Sequence, residues 1–501
     1  MTAAPEGGRV RAALLAAAVL GAYLLAVHHH AFLGDDAYIS FRYAAHLAAG
    51  DGPVYNPGER VEGYTNPSWV ALMALVLAAG GSPERASMWV GTASGAGVLL
   101  LLARVGPRPW TQPLAWLAPA CLAVNRSFAA WSTGGLETTF FTLWVVAAFV
   151  AWTQERAHGR PGASAVWLVL AALTRPEGLL LGVLAWLSWL PAWVRGRAGR
   201  TRGVAWTAAW LLPLAVHLAW RLHYYGHPLP NTFYAKVSGA WWSQGWVWLR
   251  WFADHHAAVL LLPLVGAAVA LRPGLRTGGA LVVLAAWVAE LLYVGGDRFE
   301  FRLMVPALPF LFLLAADGVV AAIDRLGRRA GVLALVPLGC AMLPTVVTPT
   351  AEAPRGIVHV EGIAAYARQR AEEGRHLRRL VEEGRLAPDT VIAVSGAGAL
   401  PYEARLPTVD TLGLTDARTA HQRLTSRTQP GHEKEASAAY LAERGVVLHD
   451  RANHLVFEAP APCPAPDSGL RCAVGGGVVL QFATTVDEAT LRAALPGLEL
   501  R

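Results

Sequence analysis

Six short arginine clusters set between long apolar runs constrain this chain more than any other feature. They are Arg9 and Arg11; Arg104 and Arg108; Arg156 and Arg160; Arg195, Arg197, Arg200 and Arg202; Arg272 and Arg276; and Arg325, Arg328 and Arg329. An apolar run of about 20 residues crosses a bilayer as a helix, and arginines collect in the cytoplasmic loops between spans. Placing all six clusters on one side requires spans near 12–33, 86–103, 111–124, 138–153, 164–174, 178–194, 203–222, 256–271, 279–295, 303–323 and 330–346, about eleven helices. The run 68–80 is short for a span, and counting it would invert every later cluster. It reads as a juxtamembrane or re-entrant helix on the outer face. Composition agrees: 54% of residues are hydrophobic and 15% charged, against roughly 25% charged in soluble domains. The formal charge of +7 is dispersed over loops and forms no basic face, which argues against nucleic acid as a partner. The first apolar run is too long for a signal-peptide core, so it reads as a retained helix with a cytoplasmic N-terminus.

After Met342 the pattern changes to charged, helix-prone sequence and then to short β-like runs such as VIAVSG and HLVFEA. The expected fold is therefore mainly α, a polytopic membrane domain over 1–349 with an outer loop at 34–85, followed by a small α/β domain over 350–501. An odd number of spans puts that domain outside the cell, in a compartment that permits disulfides. Cys463 and Cys472 flank PAPDSGLR at hairpin-like spacing and are expected to be bridged. Cys121 and Cys340 lie in apolar runs and read as packing residues.

Most polar signal outside the arginine loops falls on the outer side. Asp35 and Asp36 directly follow the run 12–33, where ionisable groups are costly to desolvate and mark a site. The plainer reading is an acidic pair at a helix N-terminus. Further outer segments are NRSFAAWSTGGLETT with Glu137, TRPEG, HYYGHPLPNTFYAKV and GGDRFEFR. Each has a structural alternative: TRPEG as a helix start with Glu177 in its first turn, Asp297 and Arg298 as a local ion pair. Trp131, Trp241 and Trp242 could stack on sugars. The VSGAGALPY glycines lack the strand and helix context of a dinucleotide site.

Taken together, DDAYISFRYAAHLAAGDGPVYNPGERVEGYTNPSW, STGGLETTFF, LTRPEGLLLG, YYGHPLPNTFYAKV, GGDRFEFRLMVPALPF and LPTVDTLGLTD with GHEK resemble the C-type, multi-spanning glycosyltransferases. The similarity is to the branch containing the terminal arabinofuranosyltransferase of mycobacterial cell-wall arabinan. The resemblance implies a polyprenyl-phosphate sugar donor, a glycan or glycoconjugate acceptor on the outer face, and the plasma membrane as location. It implies Asp35 as general base, with Asp36 as neighbour or substitute. Arg175, Lys236, Arg298 and Arg302 become the cations for the donor phosphate, because guanidinium forks suit phosphate oxygens. Glu137, Asn231, Asp297, Tyr64 and His227 become candidates for sugar and acceptor hydroxyls. No cofactor is required; if a divalent cation takes part, Asp35, Asp36 and Glu137 are the acids to hold it. The alternative of another class is a transporter or flippase of a lipid-linked sugar. It predicts polar groups on both sides of the midplane or inverted halves, and neither pattern is present.

Overall fold

The computed structural model describes residues 6–196, 199–236, 239–346, 354, 357–424, 427, 433–450 and 453–501. The expected domain boundary at 349/350 and the Gly431 and His432 of GHEK lie outside them. Two compact units are present: Met1–Phe32, Arg85–Trp220 and Gly239–Val360 form the first, and Leu33–Glu84, Arg221–Ser238 and Glu361–Arg501 the second. This division differs from a single cut near residue 350, because Leu33–Glu84 belongs with the C-terminal region.

The first unit is a helical bundle around Leu308–Leu326, whose residues from Leu308 to Ala322 are all buried. Gly318 permits a close helix approach in this core: a Cβ there would lie 2.1 Å from the Leu264 carbonyl oxygen on the neighbouring helix. Five described helices are long and apolar enough to cross a membrane: Gly7–His29, Pro83–Val105, Glu177–Val194, Arg200–Tyr225 and Leu275–Val294. Trp242–His255 and Ala258–Leu271, bent by 76° at the break, add a sixth if taken as one span. Thr138–His158, Leu308–Leu326 and Arg328–Val346 are helices of 19 to 21 residues. The runs 111–124 and 164–174 appear as the shorter apolar helices Pro113–Ala123 and Ser164–Thr174. Of the two free cysteines, Cys121 is buried as expected of a packing residue, whereas Cys340 is exposed.

The second unit carries two small sheets. Ile392–Val394 lies between Thr408–Asp410 and Leu448–His449, all parallel, with Ile392 opposite Thr408 and Leu448. Its central strand Ile392–Val394 is apolar and wholly buried, as a parallel strand covered on both faces must be, and Thr408–Asp410 beside it is buried as well. The antiparallel sheet runs Val456–Glu458, Val478–Phe482, Arg471–Gly475, Glu499–Leu500. Leu377, Leu380, Leu400, Leu480 and Phe482 join the two sheets and helix Val360–Glu382 in one core. Cys463 and Cys472 are disulfide-bonded, with Cα atoms 5.6 Å apart. The bridge closes a loop of about ten residues, worth about 2–3 kcal/mol in the chain-entropy account. Cys463→Ser with Cys472→Ser should therefore lower stability by that amount in a denaturant titration, and a reductant should do the same to the wild type.

The segment Leu33–Glu84 is built into this unit by one buried arginine. Arg42 donates from Nε to the Tyr55 carbonyl (2.8 Å), from Nη1 to that of Pro401 (2.5 Å), and from Nη2 to the Leu406 carbonyl (2.9 Å) and Asn56 Oδ1 (3.1 Å). Its guanidinium also sits over the Tyr55 ring, 4.5 Å from the centroid. Asn56 continues the clamp, donating to the Thr408 carbonyl (2.8 Å) and accepting from the Thr408 amide (3.2 Å). A planar fork with fixed donors suits this role where a lysine would satisfy fewer carbonyls.

Candidate active site

In the second unit, Asp35 and Asp36 open the helix Asp35–Ala49, where acids in the first turn offset the exposed amides of the helix start. The two carboxylates have different surroundings. Asp35 is only 6% exposed, and its Oδ1 accepts from the Ala399 amide at 2.8 Å. Burial lifts the Asp35 carboxyl to about 6 against the pull of the Ala399 amide, and the charge of Asp36 adds to the rise. Asp36 is half-buried and has no hydrogen-bond or ion-pair partner among the described residues. The glycine-rich VSGAGALPY segment, which sequence reasoning set aside, supplies that amide as it turns into helix Ala399–Ala404. A Cβ on Gly398 would fall 2.0 Å from the Asp35 carbonyl oxygen and 2.5 Å from its Oδ2. Gly398→Ala should displace the carboxylate, costing about 1–3 kcal/mol of stability through overpacking and about 100-fold in any activity that depends on its position. Thermal melting and a rate assay on the same preparation would measure the two effects.

Nearby in the same unit, the loop after Thr408–Asp410 is wound around a second buried acid. Asp410 Oδ1 accepts from the amides of Leu412 (2.9 Å) and Gly413 (3.2 Å), and Oδ2 from that of Thr415 (2.8 Å). Asn231 is buried and donates from Nδ2 to the carbonyls of Gly413 and Leu414, both at 2.9 Å, so its amide group organises this loop. Tyr64 is also buried, and its hydroxyl lies 3.1 Å from that of Tyr225. His227 is exposed, with its ring 5.2 Å from His421, which stacks on Tyr234 at 4.4 Å. Lys236 is exposed at the end of helix Asn231–Lys236.

The first unit gathers the remaining candidates into a charged cluster. Arg175 follows Ser164–Thr174 and donates from Nη1 to Glu137 (2.9 Å), while its Nε and Nη2 grip the two carboxylate oxygens of Glu177. Burial opposes the charge of Arg175, but Glu177 and Glu137 outweigh it and hold the guanidinium firmly protonated. Arg302 donates from Nε to Asp297 Oδ2 (2.8 Å) and lies 4.8 Å over Phe299. The intervening backbone is pinned: the Val358 amide donates to Arg298 and the Glu300 amide to Val358, and the Glu300 carboxylate pairs with buried Arg126. Trp131 is 1% exposed and donates to the Glu300 carbonyl, which removes it as a sugar platform. Asp297 forms an ion pair with Arg302.

One cluster member escaped sequence reasoning. Glu290, one turn from the end of Leu275–Val294, interacts with Glu177 and Arg175, and its Oε2 is buried without a partner among the described residues. Its signal was there to be read, a lone acid in the apolar run AAWVAELLYV, since ionisable groups inside spans are rare and placed for a reason. Among the described residues no three His, Cys, Asp or Glu side chains are grouped as metal ligands would be.

A mainly helical membrane bundle with a small sheet-bearing region defines a class of architecture, and a solved structure with this fold is that of ArnT from Cupriavidus metallidurans. Its structure bound to undecaprenyl phosphate matches with a TM-score of 0.55 at 14% identity over 97% of this chain and 99% of that one. The apo structure matches with a TM-score of 0.51 over 94% and 97%. The fold expected from the resemblance is thus present, in a multi-pass membrane protein. By sequence, the chain is similar to the terminal beta-(1->2)-arabinofuranosyltransferase of Corynebacterium glutamicum, 30% identical over 342 residues, covering 58% of this chain and 48% of that protein. It is also similar to the protein of the same name from Mycobacterium tuberculosis, 32% identical over 258 residues, covering 47% and 39%. The match thus takes in less than half the length of these relatives. Residues 363–472 match a family described as a domain of unknown function, DUF8728.

Proposed function

We propose that this chain is a membrane glycosyltransferase that moves arabinofuranose from a polyprenyl-phosphate donor to a hydroxyl of an extracytoplasmic glycan or glycoconjugate. The observation that carries the reading is Asp35, a buried carboxylate oriented by a backbone amide, poised near pH 6 and set beside an unpartnered acid. A base of that kind is oriented by one oxygen and takes a proton on the other. Asp35 removes the proton of the acceptor hydroxyl as its oxygen bonds to the anomeric carbon. The bond from that carbon to the phosphate oxygen breaks, and polyprenyl phosphate leaves with the electron pair. Charge accumulates on the departing phosphate, for which Arg175, Arg298, Arg302 and Lys236 are the proposed cations. Because Arg175 and Arg302 are already ion-paired, a phosphate would bind them by exchanging with Glu137, Glu177 or Asp297. Glu137, Asp297, Asn231, Tyr64 and His227 remain the proposed contacts for sugar and acceptor.

The donor assignment is supported by a fold solved with undecaprenyl phosphate, and the sugar by relatives named arabinofuranosyltransferases. Among the described residues no structural feature favours the transporter reading. The proposal includes about eleven spans, a cytoplasmic N-terminus and an extracytoplasmic C-terminal region, which follow from the arginine distribution. The test is reconstituted transfer with decaprenyl-phosphoryl-arabinofuranose and a short arabinofuranosyl acceptor. Product from the wild type supports the reading. Product only from another polyprenyl-phosphate sugar overturns the arabinose assignment, and no product from any such donor overturns the enzyme.

A further inference from the structure

The end of helix Leu275–Val294 remote from Asp297 carries a feature that glycosyl transfer does not use. A cavity of about 530 Å³ opens there, lined by Arg272, Arg276, Thr277, Arg325 and Asp324 around the first turn of the helix. No side chain caps that turn, whose N-cap is Gly274. The two local acids are committed: Asp324 pairs with Arg108, and Asp317 with Arg276. Four arginines thus face two carboxylates, an excess of two positive charges, reinforced by the positive end of a 20-residue helix. Arg276 also caps the carbonyls of Val105 and Gly106 at 2.7 and 2.6 Å, which fixes its position. Arg272 is different. Its Nη1 is buried without a partner among the described residues, and its Nη2 makes only a 3.5 Å contact to the Pro107 carbonyl.

A second cavity, of about 260 Å³, shares Leu275 with the first. It is an apolar slot between helices, walled by Phe149, Trp152, Leu184, Gly278 and Val282, with Ser188 its one hydroxyl, which Trp152 Nε1 engages at 2.9 Å. Leu275, Gly278, Gly279, Val282 and Val283 follow one face of the helix, so the slot runs inward along it for about 12 Å. A cationic pocket at a helix start, adjoining at Leu275 an apolar slot that runs along the same helix, has the two-part chemistry of a phospholipid. The helix is about 30 Å long, the thickness of a hydrocarbon core, which separates this place from Asp297 and Arg302.

We propose that the arginine pocket and the slot together hold one anionic phospholipid, its phosphate against Arg272, Arg325 and the helix N-terminus and one chain in the slot. The site would fill from the leaflet on the arginine-rich end of the bundle. The test uses the full chain, purified and titrated by native mass spectrometry with phosphatidylglycerol, phosphatidylcholine and inorganic phosphate in parallel. Phosphatidylglycerol should add as one tightly held molecule, at least ten-fold tighter than phosphatidylcholine. Arg272→Gln with Arg325→Gln should erase that preference. Gly278→Leu is the independent variant: a Cβ at Gly278 meets nothing within 4 Å, so a leucine there grows into open space and should weaken phosphatidylglycerol ten-fold without changing the melting temperature. Equal retention of the two lipids overturns the proposal. So does inorganic phosphate that binds the pocket and competes fully while Gly278→Leu has no effect, which would make this a site for soluble anions.

Discussion

Replacing Asp35 by asparagine should cut glycosyl transfer by about 10³-fold or more while leaving the protein folded. Asparagine keeps the volume of the carboxylate and an oxygen to accept the Ala399 amide, so the 2.8 Å bond that holds the segment in place survives. What is lost is the acceptor for a proton. Asp36→Asn should behave differently. Transfer requires Asp35 ionised, so the wild-type rate should rise with pH through about 6, and the charge of Asp36 is one cause of that high value. Removing it lowers the Asp35 pKa, and the acid limb of log kcat/KM should move to lower pH, with most of the rate retained above neutrality. A near-normal rate for Asp35→Asn with a dead Asp36→Asn would assign the base to Asp36.

The second large effect concerns stability of the second unit. Arg370 is fully buried, donating to Glu373 at 2.9 Å and to Asp450 at 2.5 Å, with both acids buried as well. Arg370→Met leaves two carboxylates without their cation, and breaking a buried pair in this way costs about 3–5 kcal/mol. Adding Asp450→Leu should recover part of the loss, because an apolar replacement removes a stranded charge. Denaturant titration of the single and double variants would measure both steps. Arg370 also holds the Asp35 carboxyl down, so its loss should push the acid limb of the rate profile to higher pH, opposite to Asp36→Asn.

Apolar length made the bundle legible. Ser164–Thr174 has the bounds read from sequence, and Leu275–Val294 differs from 279–295 by a few residues at its start, where Arg276 and Thr277 interrupt the apolar pattern. Trp242–His255 was missed because Ser243, Gln244, Arg250 and Asp254 break its apolar run, which a helix with one buried face permits. In the site, residue types were legible but partners were not. Arg42 follows the two acids within a few residues, yet its acceptors are mostly backbone carbonyls, two of them more than 350 positions away. Backbone groups carry no residue-type signal, so neither the Arg42 clamp nor the Ala399 amide on Asp35 leaves a mark in local sequence. Gly398 was visible only as part of a loose glycine pattern. Its requirement for an absent Cβ comes from a partner, Asp35, in a distant part of the chain.

The separation of 364 residues between Asp35 and Ala399 also sets a clock on biogenesis. A ribosome adding about 5–20 residues per second needs roughly 20–70 s to travel that distance. Throughout that interval the acidic loop is already made, but neither the amide that orients Asp35 nor the carbonyls that clamp Arg42 exist. A nascent or prematurely terminated chain therefore carries the acids without their setting, and the environment of Asp35 is assembled only once the segment around Ala399 has been delivered.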